Sequence, residues 1–365
     1  MAGHSALSIT KAHGSRNDIF VVDGAPGELF AGHDGTAGNA WNAGHDGGAR
    51  DQVARAVRLL CDRERGLGGD GVYFLADDGD GTARAWFFNP DGSEALLCGN
   101  GMRGVGRLLL DRHAADSVVV RTGPYAFTVR DGGSTPHGVR EVSVELPPVD
   151  FAPEPAIVAR AARGAGALFV AEPLAAFRPE RRVTALAVPN SHLVTVVDAY
   201  DRAELVETGR RVADAADTFP VGANVSFVLP LGTDADGRVR EVFIHTYERG
   251  AGLTPSCGSG IAASRAVLSR LGLAAPEQPV LVRNPGGVAR SWLQPGGADG
   301  SAWQPVLAGN ATLVSHTEVA AEALLGEGPL APPERTYPAE DAAFAQLSEE
   351  NLKALREAGV QLTAA

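Results

Sequence analysis

The sequence predicts an α+β protein built of two similar lobes, and three observations carry that expectation. Short β-branched and aromatic runs bounded by turn residues dominate the chain. The pattern Cys-Gly-x-Gly occurs twice, each time running into an apolar helical pattern. Between the two lies a proline-rich stretch, ELPPVDFAPEP at 145–155, which reads as a linker.

In the first half IFVVDG, VYFL, AWFF, SVVVRT, AFTVRD and VSVELP read as strands; in the second HLVTVVD, VSFVLP and VFIHTYE do. Apolar residues at helical spacing predict helices over 49–63, 100–113, 202–214, 258–271 and 341–358. Cys98 in LLCGNGMRGVGRLL and Cys257 in PSCGSGIAASRAVL stand 159 residues apart at equivalent places, after several strands and at the start of a helix. That period is too long for a solenoid. It marks an internal duplication, with a first lobe over 1–148 carrying Cys98 and a second over 149–304 carrying Cys257.

Two stretches read as additions. Residues 25–48 are rich in Gly, Ala and Asp and contain AGHDG twice. His33, Asp34, His45 and Asp46 are metal-ligating types, but the composition is that of a surface loop and no metal is expected. Beyond residue 330, PLAPPERTYP is a stiff linker, and an amphipathic helix with Phe344, Leu347, Leu352 and Leu355 ends the 331–365 extension. Docking explains that helix, and so does self-association, as in a homodimer.

Composition narrows the chemistry. The 365 residues carry a net charge of −12, without the clustered Lys and Arg that nucleic acid or an anionic membrane would need. No apolar run approaches the ~20 residues of a membrane span, and MAGHSALSITKAHGSRND lacks a signal-peptide core. Three cysteines make no disulfide framework, so a reducing cytoplasm is expected. Of 32 basic residues only Lys11 and Lys353 are lysines, and neither has the setting of a Schiff base or a P-loop. No His-Glu-x-x-His or Cys-x-x-Cys suggests a metal site. GLGGDG at 66–71 spells the dinucleotide fingerprint, but a helical pattern precedes it and a strand follows, the reverse of the required order.

The two cysteine turns point to chemistry. A helix N-terminus leaves outward N–H groups and a positive dipole end, and glycines let a ligand reach the bare backbone. Such an end binds carboxylates and favours thiolate over thiol. Two of them facing each other could hold one substrate carboxylate with a sulfur on each side of the adjacent carbon. One thiolate would remove the α-proton and the opposite thiol would return one, inverting the centre. Cys61, in RLLCDRE, reads instead as a packed core residue.

At these motifs the sequence resembles the diaminopimelate epimerase family. NPDGSEALLCGNGMRGVGRLL looks like its first cysteine motif and ERGAGLTPSCGSG like its second, with KAHGSRNDIFVVD, GLGGDGV, VPNSHLV and GANVSFV matching in order. The resemblance implies two pseudo-symmetric lobes, each a curved, mostly antiparallel sheet or barrel around a central helix, with the site in the cleft between. It implies that a strand near PVLAGNATLVSH returns the chain, over about 305–330, to the first lobe.

By position, the resemblance makes Cys98 and Cys257 the acid/base pair, and makes His192 and Glu248 the groups that tune them, an imidazolium favouring thiolate and a carboxylate favouring thiol. Gly99 with Asn100, and Gly258 with Ser259, would cradle the reacting carboxylate. Asn17, Asn89, Asn190, Asn224 and Arg249 would read the rest of an amino-acid substrate, Arg249 as a bidentate carboxylate partner. No cofactor is implied. Arg16 and Ser191 stand where the family often has glycine and proline, Ser259 where it commonly has threonine, and Gly71 where some members have glutamine. The implied reaction is conversion of LL- to meso-diaminopimelate for lysine and cell-wall synthesis. A relative acting on another amino acid is the first rival, and a non-catalytic thiol-redox or binding protein on the same fold is the second.

Overall fold

The structure is a computed structural model, and it describes residues 6–30, 47–163, 168–297, 300, 302–326 and 328–362. Most of the 25–48 loop, including His33, Asp34, His45 and Asp46, lies outside the described residues. The chain divides into two compact units, Met1–Val144 with Asn310–Ala345, and Glu145–Gly309 with Gln346–Ala365.

Unit 1 opens with β1 (Ala6–Gly14), β2 (Asn17–Asp23), α1 (Pro26–Phe30), α2 (Gly47–Cys61), β3 (Gly71–Asp77), β4 (Thr82–Phe88) and β5 (Glu94–Ala95). It continues with α3 (Gly99–His113), β6 (Ser117–Thr122), β7 (Tyr125–Ser134) and β8 (Arg140–Glu145). Unit 2 contains α4 (Arg160–Arg163), β9 (Glu172–Leu174), β10 (Arg178–Val188), β11 (Asn190–Val196), α5 (Arg202–Asp214), β12 (Asn224–Thr233), β13 (Val239–Glu248) and β14 (Gly252–Leu253). Then come α6 (Gly258–Arg270), β15 (Val280–Asn284), β16 (Gly287–Gly296) and β17 (Ala302–Asn310). The chain returns to unit 1 with β18 (Thr312–Ala320), α7 (Ala321–Leu325) and β19 (Arg335–Thr336), and ends in α8 (Pro338–Glu357).

Strand pairing makes the duplication explicit. In unit 1, β1 pairs antiparallel with β2, β2 parallel with β3, β3 antiparallel with β4, β4 parallel with β6, and β6–β7–β8 follow antiparallel. Unit 2 repeats every step with β10, β11, β12, β13, β15, β16 and β17. Each sheet wraps one helix. α3 packs on β1, β2, β3, β6 and β7, and α6 packs on β10, β11, β12, β13 and β16.

The side-chain alternation of β-strands explains the layers. Phe20, Val22, Val72 and Phe74 share a core with Val53, Val57 and Leu60 of α2 on one face. Ile19 and Tyr73 point to the other face, where a Cβ on Gly101 of α3 would come within 3.0 and 2.9 Å of them. With a helix on both sides, β3 is buried continuously from Gly71 to Leu75 rather than in alternation. In unit 2 Val225, Phe227 and Phe243 meet Leu205 and Val212 of α5. The opposite face, toward α6, carries Ser226, whose Oγ would be 3.2 Å from a Cβ on Gly260.

Three boundaries differ from the sequence reading. The 145–155 stretch is not a free linker: Leu146 and Val149 are buried and donate to the Pro305 and Trp303 carbonyls at 2.8 Å, and Asp150 bridges to Ala187. The return to unit 1 falls at Asn310, so most of β17 belongs to unit 2. The extension is shared, since α8 begins in unit 1 and from Gln346 belongs to unit 2, where Leu355 and Val360 join the core. Strands β1 and β10 escaped the pattern reading because Thr, Lys, His and Arg interrupt their apolar runs. Among the described residues no helix is long and apolar enough to cross a membrane.

Candidate active site

Both cysteines are N-caps. Cys98 precedes α3 in an extended conformation (φ −120°, ψ 106°), and its sulfur accepts from the Gly101 N–H at 3.4 Å. Cys257 precedes α6 with φ −112° and ψ 110°, and its sulfur accepts from the Gly260 N–H at 3.4 Å. The match extends to the amide that donates the bond, three residues after each cysteine. A glycine there lets the helix start settle against the sheet, at the end of the helix whose first-turn N–H groups lack intrahelical acceptors.

The walls behind the sulfurs differ. By strand register, Ile19, Gly71 and Tyr73 in unit 1 correspond to His192, Asn224 and Ser226 in unit 2. Phe87 lies opposite Tyr73, and Thr246 opposite Ser226. Unit 1 is therefore aromatic there, and its Phe87 ring would lie 2.7 Å from any Cβ at Gly71. Unit 2 is polar, with Ser226 and Thr246 hydroxyls bonded at 2.8 Å.

Around Cys98, the buried Tyr73 hydroxyl accepts the Cys98 N–H at 2.8 Å and donates to the Cys98 carbonyl at 3.2 Å. Burial holds that phenol well above its ordinary pKa, so it stays a donor. Asn17, the first residue of β2, directs its Nδ2 at the sulfur from 3.8 Å, while its buried Oδ1 has no hydrogen-bond partner among the described residues. Arg16 precedes it with φ +63°, a conformation glycine adopts freely and other residues rarely. Behind the helix start, fully buried Arg103 donates to the Asn310 carbonyl at 2.9 Å and to Ser15 Oγ at 3.2 Å. Burial lowers its pKa to about 10, against the pull of Cys98 and Glu141, so the guanidinium is charged at neutral pH.

Around Cys257 the charge is of opposite sign. Glu248, the last residue of β13, accepts from Thr254 Oγ1, and its carboxylate acts electrostatically on the Cys257 thiol. Burial raises the Glu248 pKa, with Thr254 and Cys257 opposing. Burial first, and the Glu248 carboxylate second, drive the Cys257 thiol well above its ordinary range, although Ser259 and the Gly260 N–H oppose them. The sequence reading expected the helix end to lower both thiols; at Cys257 desolvation outweighs it.

His192 is also corrected. Its Nε2 meets Asn190 Oδ1 at 3.0 Å, so the nitrogen carries the proton, and its buried Nδ1 has no hydrogen-bond partner among the described residues. Burial lowers its pKa to about 3, so it is a neutral imidazole rather than the expected imidazolium.

The remaining candidates divide. Gly99 and Asn100 open α3, and Gly258 and Ser259 open α6, with Ser259 Oγ 3.6 Å from the Cys257 sulfur. Asn224 Oδ1 accepts the Arg249 N–H at 2.9 Å and so shapes the turn after β13. The Arg249 side chain is exposed, and its Nη1 donates to the Val221 carbonyl. Asn89 bonds Ser93 Oγ at 3.0 Å inside its own turn. Cys61 is buried on α2, with its thiol pushed up to about 12 by burial. Tyr73, Arg103 and Thr254 were not picked out from the sequence. Thr254 and Arg103 lie within the quoted motifs, but Tyr73 looks like any strand aromatic.

Two duplicated units, each with an N-cap cysteine on its central helix, define the class of two-unit epimerase folds. The family described as diaminopimelate epimerase matches residues 9–141 and 184–314. A diaminopimelate epimerase of Enterococcus faecalis is 33% identical over 318 residues, 86% of this chain and 89% of that one. One of Listeria welshimeri is 32% identical over 320 residues, 86% and 88% of the two chains. Among solved structures, a hydroxyproline epimerase from Agrobacterium vitis superposes with TM-score 0.53 at 18% identity, covering 92% of this chain and 98% of that one. A PhzF-family phenazine biosynthesis protein of Bacillus anthracis gives TM-score 0.55 at 14% identity, covering 86% and 99%. These two share the fold.

The chain belongs to the diaminopimelate epimerase family, and it is an isomerase, an amino-acid epimerase.

Proposed function

We propose that the chain converts LL- to meso-diaminopimelate by two-base proton transfer, with Cys98 and Cys257 as the proton carriers. The observation that carries this reading is the pair of matched N-cap sulfurs, one in the field of a buried cation and the other in that of a half-buried carboxylate. The names of relatives at 33% and 32% identity support diaminopimelate as the substrate.

Arg103 favours a thiolate at Cys98, and Glu248 keeps Cys257 a thiol. The Cys98 thiolate takes the α-proton, forming S–H, and the C–H electron pair stays on the substrate as a carbanion delocalised into its carboxylate. The first-turn N–H groups of α3 and α6 stabilise that charge. The Cys257 thiol then delivers its proton to the other face and is left as thiolate, so the inverted product carries the original charge. The neutral Nδ1 of His192 and the Oδ1 of Asn17 are acceptors suited to substrate N–H groups. On this reading the enzyme serves lysine and cell-wall synthesis in the cytoplasm.

The test is α-proton exchange in deuterated water across a panel of amino acids. Exchange of diaminopimelate with deuterium in the product supports the reading, whereas exchange of other amino acids only would reassign the substrate. Unchanged activity in Cys98→Ala or Cys257→Ala would instead favour a non-catalytic thiol protein.

A further inference from the structure

We propose that α8 carries a positioning residue for the proposed reaction: Asn351 holds the turn that ends in Cys257 through Asn284 and Ser256. This rests on the reading of Cys257 as a proton carrier. The family match ends at residue 314, before α8 begins, so it does not account for a buried asparagine there.

Asn351 is 1% exposed. Its Nδ2 donates to the Asn284 carbonyl at 3.0 Å, and its Oδ1 accepts from Arg283 Nη1 at 3.4 Å. Asn284, also buried, closes β15, and its own Nδ2 donates to Ser256 Oγ at 3.0 Å. Its Oδ1 accepts the Gly286 N–H at 3.0 Å, and that N–H also reaches the Pro255 carbonyl at 2.9 Å. Pro255 and Ser256 immediately precede the sulfur-bearing residue. A buried polar path thus runs from the helix to the residue beside Cys257.

Docking alone does not call for this path. Leu355, one turn further on, already fills the unit 2 core, and an apolar side chain at 351 would dock the helix without the cost of burying an amide. The amide adds direction, because it pins one peptide carbonyl whose side chain pins the turn. Proton transfer is sensitive to such placement, since about 1 Å of misalignment costs roughly a hundredfold in rate.

The experiment measures iodoacetamide alkylation of each cysteine by peptide mass, alongside kcat and KM for α-proton exchange. In Asn351→Ala, Cys257 alkylation should change about fivefold or more and Cys98 alkylation by less than about twofold, with kcat down roughly tenfold and KM nearly constant. Asn351→Asp keeps the size and the Arg283 contact but loses the donor to Asn284, and it decides the matter if the alanine variant does not fold. Glu340→Gln loosens the other end of the helix, where Glu340 accepts from Arg107 Nη1 and Nη2 at 2.6 and 2.7 Å, and it should leave Cys257 alkylation unchanged. Unchanged Cys257 alkylation in a folded Asn351 variant, or an equal change in Glu340→Gln, overturns the inference. Retained activity in Cys257→Ala overturns the underlying reading instead.

Discussion

The two cysteine turns share a backbone and differ in everything packed around it. Both sulfurs cap a central helix, and both accept from a glycine N–H at 3.4 Å. Yet Cys98 is clamped through its own peptide groups by a tyrosine hydroxyl, with a buried guanidinium behind it, whereas Cys257 lies buried against a carboxylate. Even the sequence offsets agree while the chemistry diverges, because Asn89 and Glu248 each stand nine residues before their cysteine. Duplication supplied the symmetry that an inversion uses. On the proposed reading, the divergent walls set a direction for the proton.

The largest effect that would break the comparison comes from the sulfurs themselves. Cys98→Ala or Cys257→Ala should each lower kcat for epimerisation by about three orders of magnitude or more, the scale of losing a general acid or base. A far smaller loss in one of them would mean that a single sulfur suffices. The next is Glu248→Gln. A neutral amide removes the charge that disfavours the Cys257 thiolate, so its alkylation–pH curve should move to lower pH while that of Cys98 stays put. With the thiol no longer held protonated, kcat should fall about a hundredfold.

Tyr73→Phe sharpens the other side. It keeps the ring on Phe87 but deletes the hydroxyl that makes both bonds to Cys98, at a cost of about 1–3 kcal/mol. Cys98 alkylation should then change roughly tenfold with Cys257 unaffected.

The smallest effect concerns acid stability. Burial depresses His192 to about 3 and His13 and His245 to about 4. Each takes up a proton on unfolding below its ordinary value near 6.5, so the stability it contributes is complete above that pH and declines as pH falls toward the folded value. Denaturant titrations between pH 7 and 5 should show the decline, and His192→Asn should make it shallower by up to about 1.4 kcal/mol per pH unit.

The positions of the site were legible in the chain to the extent that they lie in local motifs. Cys98, Gly99, Cys257 and Gly258 can be placed at helix starts because an N-cap followed by glycines is a local pattern. His192 and Glu248 were picked out by position, but the neutral state of His192 was not, because protonation follows from burial by residues distant in sequence. The contribution of Tyr73 was hidden, since nothing in VYFL tells a core tyrosine from one bonded to a residue 25 positions away. Asn89 illustrates another limit, a residue whose motif suggested a substrate contact and whose amide nitrogen here bonds its own turn.

What the sequence determined by itself was the duplication, the helix starts and the two sulfurs, because local periodicity and short motifs encode them. Only the tertiary structure decided which sulfur meets a cation and which a carboxylate, and that the tail reaches back toward Cys257 through buried amides. Those outcomes depend on desolvation and on contacts between distant segments, and neither exists until the chain is packed.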